Sequence, residues 1–154
     1  GPVARAAGLP LDLRTADPDL AYAELAPLLA PLTSIAGDAA ARYALLLAEV
    51  VRSLDLLDAS AAALHSLGDG PVSVPLPKVL RVPEGTTSAW LESAFGITGV
   101  HLESRGDRTP YRLALRTPAS AHAALLGETL AGTPVELLEA VVSSFFLVVG
   151  DIDK

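Results

Sequence analysis

From Ala39 to Leu67 neither glycine nor proline interrupts the chain. The preceding stretch carries prolines at positions 2, 10, 18, 27 and 31. A proline inside a helix removes a hydrogen bond and clashes with the previous turn, so residues 1 to 36 read as irregular chain with short helices. One of these is expected to start with Asp17 as its cap and Pro18 in its first position, ahead of Leu20, Tyr22, Glu24 and Leu25. Residues 38 to 67 read instead as one long helix capped by Asp38 and stopped by Gly68 and Gly70-Pro71. Its length is about 45 Å, at 1.5 Å per residue.

Within that helix Tyr43, Leu47, Val50, Leu54, Leu57, Ala61 and Leu64 recur at alternating steps of four and three. Such spacing draws a continuous apolar stripe along one face. Arg42, Glu49, Arg52, Asp55 and Asp58 fall away from it. Two roles fit the stripe: a central core helix, or one partner of a coiled coil. Leu45, Leu46, Val51 and Leu56 widen the apolar face beyond a narrow seam, which favours the core helix.

After Pro71, Pro75, Pro77 and Pro83 the pattern changes. Ser88–Ser93, Gly99–Ser104 and Tyr111–Arg116 read as three strands separated by turn-rich segments, a small antiparallel meander within residues 79 to 117. Tyr111, Leu113 and Leu115 alternate with Arg112, Ala114 and Arg116, so one face of the third strand is expected in the core and the other in water. Residues 119 to 150 read as two closing helices. Thr117-Pro118 or Ser120 opens the first, which runs to about Leu130. Thr133-Pro134-Val135-Glu136 opens the second with a threonine cap, proline in the first position and glutamate three after the cap. Beyond Ala140 that helix is apolar all round, which requires burial on every face; its β-branched and aromatic content also suits a strand. The fold class is α+β, mainly helical, in a single domain over residues 1 to 154.

Composition narrows the chemistry. Of 154 residues 51% are hydrophobic, yet no run reaches the roughly 20 apolar residues that a membrane-spanning helix needs. A net charge of −7 argues against nucleic-acid binding, which depends on neutralising phosphates. The absence of cysteine removes disulfides, thiolate metal ligands and thiol nucleophiles together. The absence of methionine and the start at Gly1-Pro2-Val3 suit a piece of a longer protein, with Gly1-Pro2 either native or a tag remnant. His65, His101 and His122 show no metal-ligand spacing, and surface or core roles fit them better. No phosphate-binding glycine loop and no nucleophile elbow is present. No catalytic, cofactor-binding or metal-ligating residue is therefore assigned. Arg105, Arg108, Arg112 and Arg116 form the one basic cluster, suited to gripping a carboxylate, phosphate or acidic partner; a charged strand edge that discourages pairing fits better.

A resemblance gives the order of short motifs a meaning. Gly1-Pro2-Val3-Ala4-Arg5-Ala6-Ala7-Gly8 with Asp12-Leu13-Arg14, then Gly37-Asp38-Ala39-Ala40-Ala41-Arg42-Tyr43, then Pro110-Tyr111-Arg112-Leu113-Ala114-Leu115-Arg116-Thr117-Pro118, then Leu130-Ala131-Gly132, and finally Gly150-Asp151-Ile152-Asp153-Lys154 follow one another along the chain. Together they resemble the C-terminal part of the large, hydrogenase-like (D-type) component of NADH:quinone oxidoreductase, complex I. Large subunits of energy-converting nickel–iron hydrogenases of the formate hydrogenlyase kind share the pattern. The resemblance implies a peripheral, cytoplasmic-side component of a membrane-bound oxidoreductase, without a membrane span of its own. Its partners would be an iron–sulfur small subunit and other subunits, with homo-oligomers open to the isolated chain. The family's cofactors would be quinone, or nickel and iron in hydrogenase members, with none held by this stretch. Asp151, Asp153 and Lys154 carry over from the terminal motif as interface candidates, with Arg112 and Arg116 as a second contact.

Departures from the pattern are as informative. The family's Glu-Ala-Pro-Arg-Gly-Glu hairpin reads here Glu92-Ser93-Ala94-Phe95-Gly96-Ile97, losing the Arg and the second Glu. Its Gly-Ser-Leu-Asp reads Ser143-Ser144-Phe145-Phe146, losing the Asp. The cysteine pair that hydrogenase members carry near the C-terminus is absent. Two readings remain: a scaffold for the quinone or hydrogenase site that docks an iron–sulfur subunit, or a non-catalytic assembly descendant of the same fold. An unrelated helical module would require residues 88 to 116 to be helical.

Overall fold

The computed structural model describes residues 1–17, 20–71 and 73–153. In chain order they form α1 (Pro2–Ala6), α2 (Leu13–Ala16), a 3₁₀ segment (Ala21–Leu28), α3 (Ala39–Leu67), β1 (Gly85–Ser93), β2 (Gly96–Ser104), β3 (Arg112–Arg116), α4 (Pro118–Thr129), a 3₁₀ turn (Val135–Leu137), α5 (Leu138–Ser143) and a last 3₁₀ turn (Val149–Asp151). The strands make an antiparallel sheet in the order β1-β2-β3. The α+β class with a long helix and a small meander is what the sequence pattern dictates, and the strands over 88 to 116 remove the purely helical module.

Local chemistry sets most boundaries. Asp38 Oδ1 accepts the Ala41 N–H at 2.7 Å and caps α3; Gly68, at φ 65°, ends it. The residues expected to start a helix with Pro18 lie in part outside the described residues, and the segment there is the 3₁₀ stretch that follows Leu20. β1 and β2 turn through Ala94-Phe95, with Ser93 paired to Gly96. At Gly99 a Cβ would lie 2.4 Å from the Trp90 ring. The close approach of that ring to the backbone requires glycine.

Register assigns the two sheet faces. Arg112 lies opposite Glu103, His101 opposite Ala114 and Ser88, and Gly99 between Arg116 and Trp90. A 2.8 Å contact between Ser88 Oγ and His101 Nδ1 follows from that shared face. Leu91, Val100, Leu102, Leu113 and Leu115 line the opposite face. That face was expected to be core. Leu91, Leu113 and Leu115 are 44 to 54% exposed instead, so the described elements cover that face only in part.

The α3 stripe departs from expectation in the same way. The packed face carries Arg42, Leu45, Arg52 and Leu56, with mostly buried Glu49 between them. Leu47, Val50, Leu54, Leu57 and Leu64 are 53 to 68% exposed. At 100° per residue the two faces stand roughly 140° apart. The helix is central in length but turns its apolar seam outward.

The closing segment is not one helix. The Thr133 side chain bonds back to Thr129 O instead of capping forward, and a 3₁₀ turn over Val135–Leu137 precedes the six-residue α5. Ser143 and Ser144 hydroxyls bond to carbonyls of the preceding turn. Phe146 then takes φ 53°, a left-handed conformation that costs a non-glycine residue about 1–2 kcal/mol. Ring contacts hold it there, as described below. Burial is confined to Ser144 and Phe145, while Val135 and Val149 face outward.

Candidate functional site

The most concentrated chemistry lies where α1, α2, α3 and β1 meet. Arg5 of α1 is 2% exposed and donates through Nη1 to Glu92 Oε1 at 3.0 Å and Asp12 Oδ2 at 3.4 Å, and through Nη2 to Glu49 Oε1 at 3.1 Å. Arg14 grips Asp12 with two parallel bonds of 2.9 and 2.6 Å and reaches Glu49 Oε2 at 3.1 Å. Arg52 lies 3.5 Å from Glu49 and donates to Ala30 O. Glu92 also accepts from the Leu13 N–H at 3.4 Å and lies 2.8 Å from the Gly1 nitrogen. Three arginines and three carboxylates thus balance within one network. Such burial of charge is tolerated only where the ions pair and remaining lone pairs are satisfied.

The electrostatics follow. Burial alone would raise the Asp12 pKa, but the Arg14 hydrogen bonds and the Arg14 and Arg5 charges outweigh it and hold the carboxyl below its ordinary value. The Asp12 hydrogen bond in turn pushes the Arg14 guanidinium up. Both groups are fixed in their charged forms, so they suit holding elements together and not proton transfer. A cleft of about 260 Å³ beside Arg5, Arg14, Glu49 and Glu92 leaves the network a polar opening.

A second cavity, of about 650 Å³, lies between α1, α4 and the sheet, lined by Val3, Trp90, Ile97, His122 and Leu125 with Arg116 at its edge. Its surface is apolar. His122 is buried against Phe145, and desolvation pulls its pKa below the ordinary imidazole value despite a hydrogen bond with the Phe145 backbone. Arg42 is buried beside them, its guanidinium 4.3 Å over the Phe145 ring, donating to Ser144 Oγ at 2.9 Å and Gly37 O at 2.8 Å. Desolvation lowers the Arg42 pKa too. Among the described residues no group of His, Asp and Glu is disposed to hold a metal ion.

The sequence-derived candidates are placed as follows. Arg116 is exposed, its guanidinium 6.0 Å from the Trp90 ring, and Arg112 is exposed opposite Glu103. Asp151 reaches the same neighbourhood through its backbone: its carbonyl accepts from Thr117 Oγ1 at 2.5 Å, pinning the C-terminal turn to the residue after Arg116. Asp153 is exposed, and Lys154 is outside the described residues. Arg105 lies 3.2 Å over the Tyr111 ring, so the basic cluster is distributed along the strand edge and does not converge on one ligand. Arg5, Asp12, Arg14, Glu49, Arg52 and Glu92 were not singled out as a site. Arg5, Asp12, Arg14 and Glu92 stand in the short motifs, and Glu49 and Arg52 in a second helix periodicity, Arg42, Leu45, Glu49, Arg52 and Leu56.

The departures noted in the sequence meet in space. Phe95 and Phe146 stack at 5.6 Å with planes 19° apart, and Tyr43 meets Phe146 edge-on at 5.6 Å and 87°. The positions where the resemblance leads to Arg and Asp are therefore in mutual contact, occupied here by rings. That contact ties the β1–β2 turn to the C-terminal segment and over-determines the left-handed Phe146.

A family model described as "Respiratory-chain NADH dehydrogenase, 49 Kd subunit" matches residues 1–80 and 75–154. The chain belongs to this family. A D-type NADH-quinone oxidoreductase subunit from Streptomyces coelicolor is 49% identical over all of the chain and 40% of its own length. Its D-type counterpart from Desulforamulus reducens is 33% identical over 99% of the chain and 40% of its own length. Among solved structures, that of "the membrane-bound sulfane sulfur reductase (MBS), an archaeal respiratory membrane complex" superimposes with a TM-score of 0.87 at 32% identity, over all of this chain and 42% of that one. The chain thus spans about two-fifths of the length of the relatives it matches. Pro2 is buried and Gly1 contacts Gly96, so both residues pack with the rest of the fold. No described helix is long and apolar enough to cross a membrane.

Proposed function

We propose that this chain is the scaffolding section of a D-type component of a membrane-bound NADH-quinone oxidoreductase. In this reading it acts on the cytoplasmic side, peripheral to the membrane, and forms a docking frame for an iron–sulfur subunit. Chemistry on quinone belongs to other parts of the assembly. The Arg5–Glu92–Glu49–Asp12 network supports the reading most directly. It ties the N-terminal stretch, the long helix and the first strand together through paired charges, which suits a rigid support. The D-type relatives favour the quinone branch over the hydrogenase branch. Asp151 and Asp153, with Arg112 and Arg116, are the side chains proposed to touch neighbouring subunits.

A non-catalytic assembly role within the same family is the second reading, favoured by the Phe95–Phe146 stack that stands at motif positions otherwise polar. Affinity purification of the native protein from solubilised membranes separates the two. Recovery with iron–sulfur subunits and NADH-quinone reductase activity supports the first reading. Recovery of the protein in an assembly without that activity supports the second, and a solitary monomer sinks both.

A further inference from the structure

Residues 73–84 lead into β1 and belong to none of the described helices or strands. Prolines stand at 75, 77 and 83. Each proline fixes its own φ near about −65° and drives the residue before it into extended backbone. Val74-Pro75-Leu76-Pro77 is therefore held in polyproline conformation before any partner arrives. The far end of the segment is tied to the sheet, where Ser104 Oγ donates to Val82 O at 2.8 Å.

A segment of this kind would bury its apolar side chains if the described chain offered it a groove. Instead Val74 is 80% exposed, Leu76 74% and Leu80 59%. Lys78 and Arg81 are exposed among them, and none of the ion pairs among the described residues includes either. The segment thus displays apolar side chains and two cations on a preformed extended backbone, in a chain of net charge −7. Preformed polyproline backbone docks into aromatic-lined grooves at little cost in ordering. Cations beside it select a groove with carboxylates at its rim.

A second copy of the chain does not offer that groove. Its two most exposed rings are Trp90 and Tyr111, and both stand by arginines. Arg105 lies 3.2 Å over Tyr111, and Arg116 is 6.0 Å from Trp90. Phe95, Phe146 and Tyr43 are engaged with one another, and Phe145 is buried. Lys78 and Arg81 would meet like charge at Trp90 and Tyr111, which rejects a partner.

We infer that residues 74–81 are a docking strap for another subunit, which receives Val74, Leu76 and Leu80 in an aromatic-lined groove and meets Lys78 and Arg81 with carboxylates. The inference rests on the scaffold reading only in taking that subunit from the same membrane-bound assembly.

The test places the photo-cross-linker p-benzoylphenylalanine at position 76 of the full-length protein in its native membranes, followed by irradiation and peptide sequencing. The expected product joins position 76 to a different subunit, at a peptide that carries aromatic and acidic residues. A product within the same polypeptide, a product joining two copies, or no product at all overturns the inference. Lys78→Glu with Arg81→Glu is expected to lower the yield of that product about tenfold, through like charge at the groove rim; an unchanged yield overturns the charge assignment. Pro75→Ala with Pro77→Ala is expected to lower it about threefold, because the backbone must then be ordered on docking. An unchanged yield there overturns the polyproline mode. These positions are exposed, so the thermal midpoint of each purified variant is expected to stay with that of the parent. Recovery of iron–sulfur subunits is scored separately. Their absence with the position-76 product retained would overturn the scaffold reading alone.

Discussion

The two faces of α3 have inverted the usual arrangement. One face buries Arg42 and Arg52 and most of Glu49 among the chain's own segments; the other turns five leucines and valines outward. Charge is inside because each ion there has a partner from another segment, with Arg5 and Arg14 reaching Glu49 from the N-terminal helices. Hydrophobicity alone therefore does not identify the inner face of a helix in a chain that spans two-fifths of its relatives. The packed face is the one for which this stretch supplies the complement.

Perturbing the charged side should have the largest effect. Arg5→Leu takes the guanidinium from buried Glu92, leaving it the Leu13 N–H and the Gly1 nitrogen, and removes one of two arginine partners from Asp12 and one from Glu49; loss of one partner of a buried pair costs about 3–5 kcal/mol. Urea denaturation of the chain measures it. The double variant Arg5→Leu with Glu92→Leu should be less destabilised than the sum of its single changes, since it removes both charges together. If Arg5→Leu shifts stability by under about 1 kcal/mol, well short of that cost, the network does not hold the segments together.

Leu45→Ala against Leu54→Ala compares the faces directly. Leu45 is buried and its truncation should cost about 2–5 kcal/mol, whereas Leu54→Ala should stay within about 0.5 kcal/mol in the isolated chain. Equal losses would mean that both faces are packed. Smaller again, Asp38→Ala removes the cap at the start of the helix that carries both faces, for about 1 kcal/mol, read from the thermal midpoint.

The smallest effects are in pH dependence. His122 holds its proton less readily when folded than the ordinary imidazole does. Stability it contributes is present above the ordinary pKa of 6.5 and is lost as pH falls through its depressed folded value. Asp12, also depressed, contributes above its ordinary 3.8 and loses that contribution as pH falls further, through its lowered value. Denaturation midpoints of His122→Phe should therefore be flatter than those of the parent just below pH 6.5 and follow the parent near pH 3.8. Midpoints of Asp12→Asn should be flatter only below 3.8. A His122→Phe curve parallel to the parent through the upper window would remove His122 from the account.

Much of the secondary structure was legible from single residues. Asp38 and Gly68 bound α3 through a side-chain acceptor and a left-handed backbone, both local properties. The strands showed through alternation and the glycine- and proline-rich turns between them. The site was less legible. Arg5, Asp12 and Arg14 are close together in the chain, but Glu49 and Glu92 are 44 and 87 residues from Arg5. Nothing in the spacing of charges says which distant ones will pair. The terminal motif was visible as sequence, yet the contact that places it is a carbonyl of Asp151 held by Thr117, which no side-chain pattern encodes.

What the sequence determined by itself is what short range dictates: helix ends, strand alternation, the order of motifs that marks the family, and the absence of thiol chemistry. What the tertiary structure alone decided is which side of each element faces in. Periodicity states that a helix or strand has an apolar side, because side-chain direction repeats with the backbone. Whether that side is covered depends on which other segments reach it. For α3 the segments that arrive bring hydrogen-bond and charge partners to Arg42, Glu49 and Arg52, and the apolar seam stays outward.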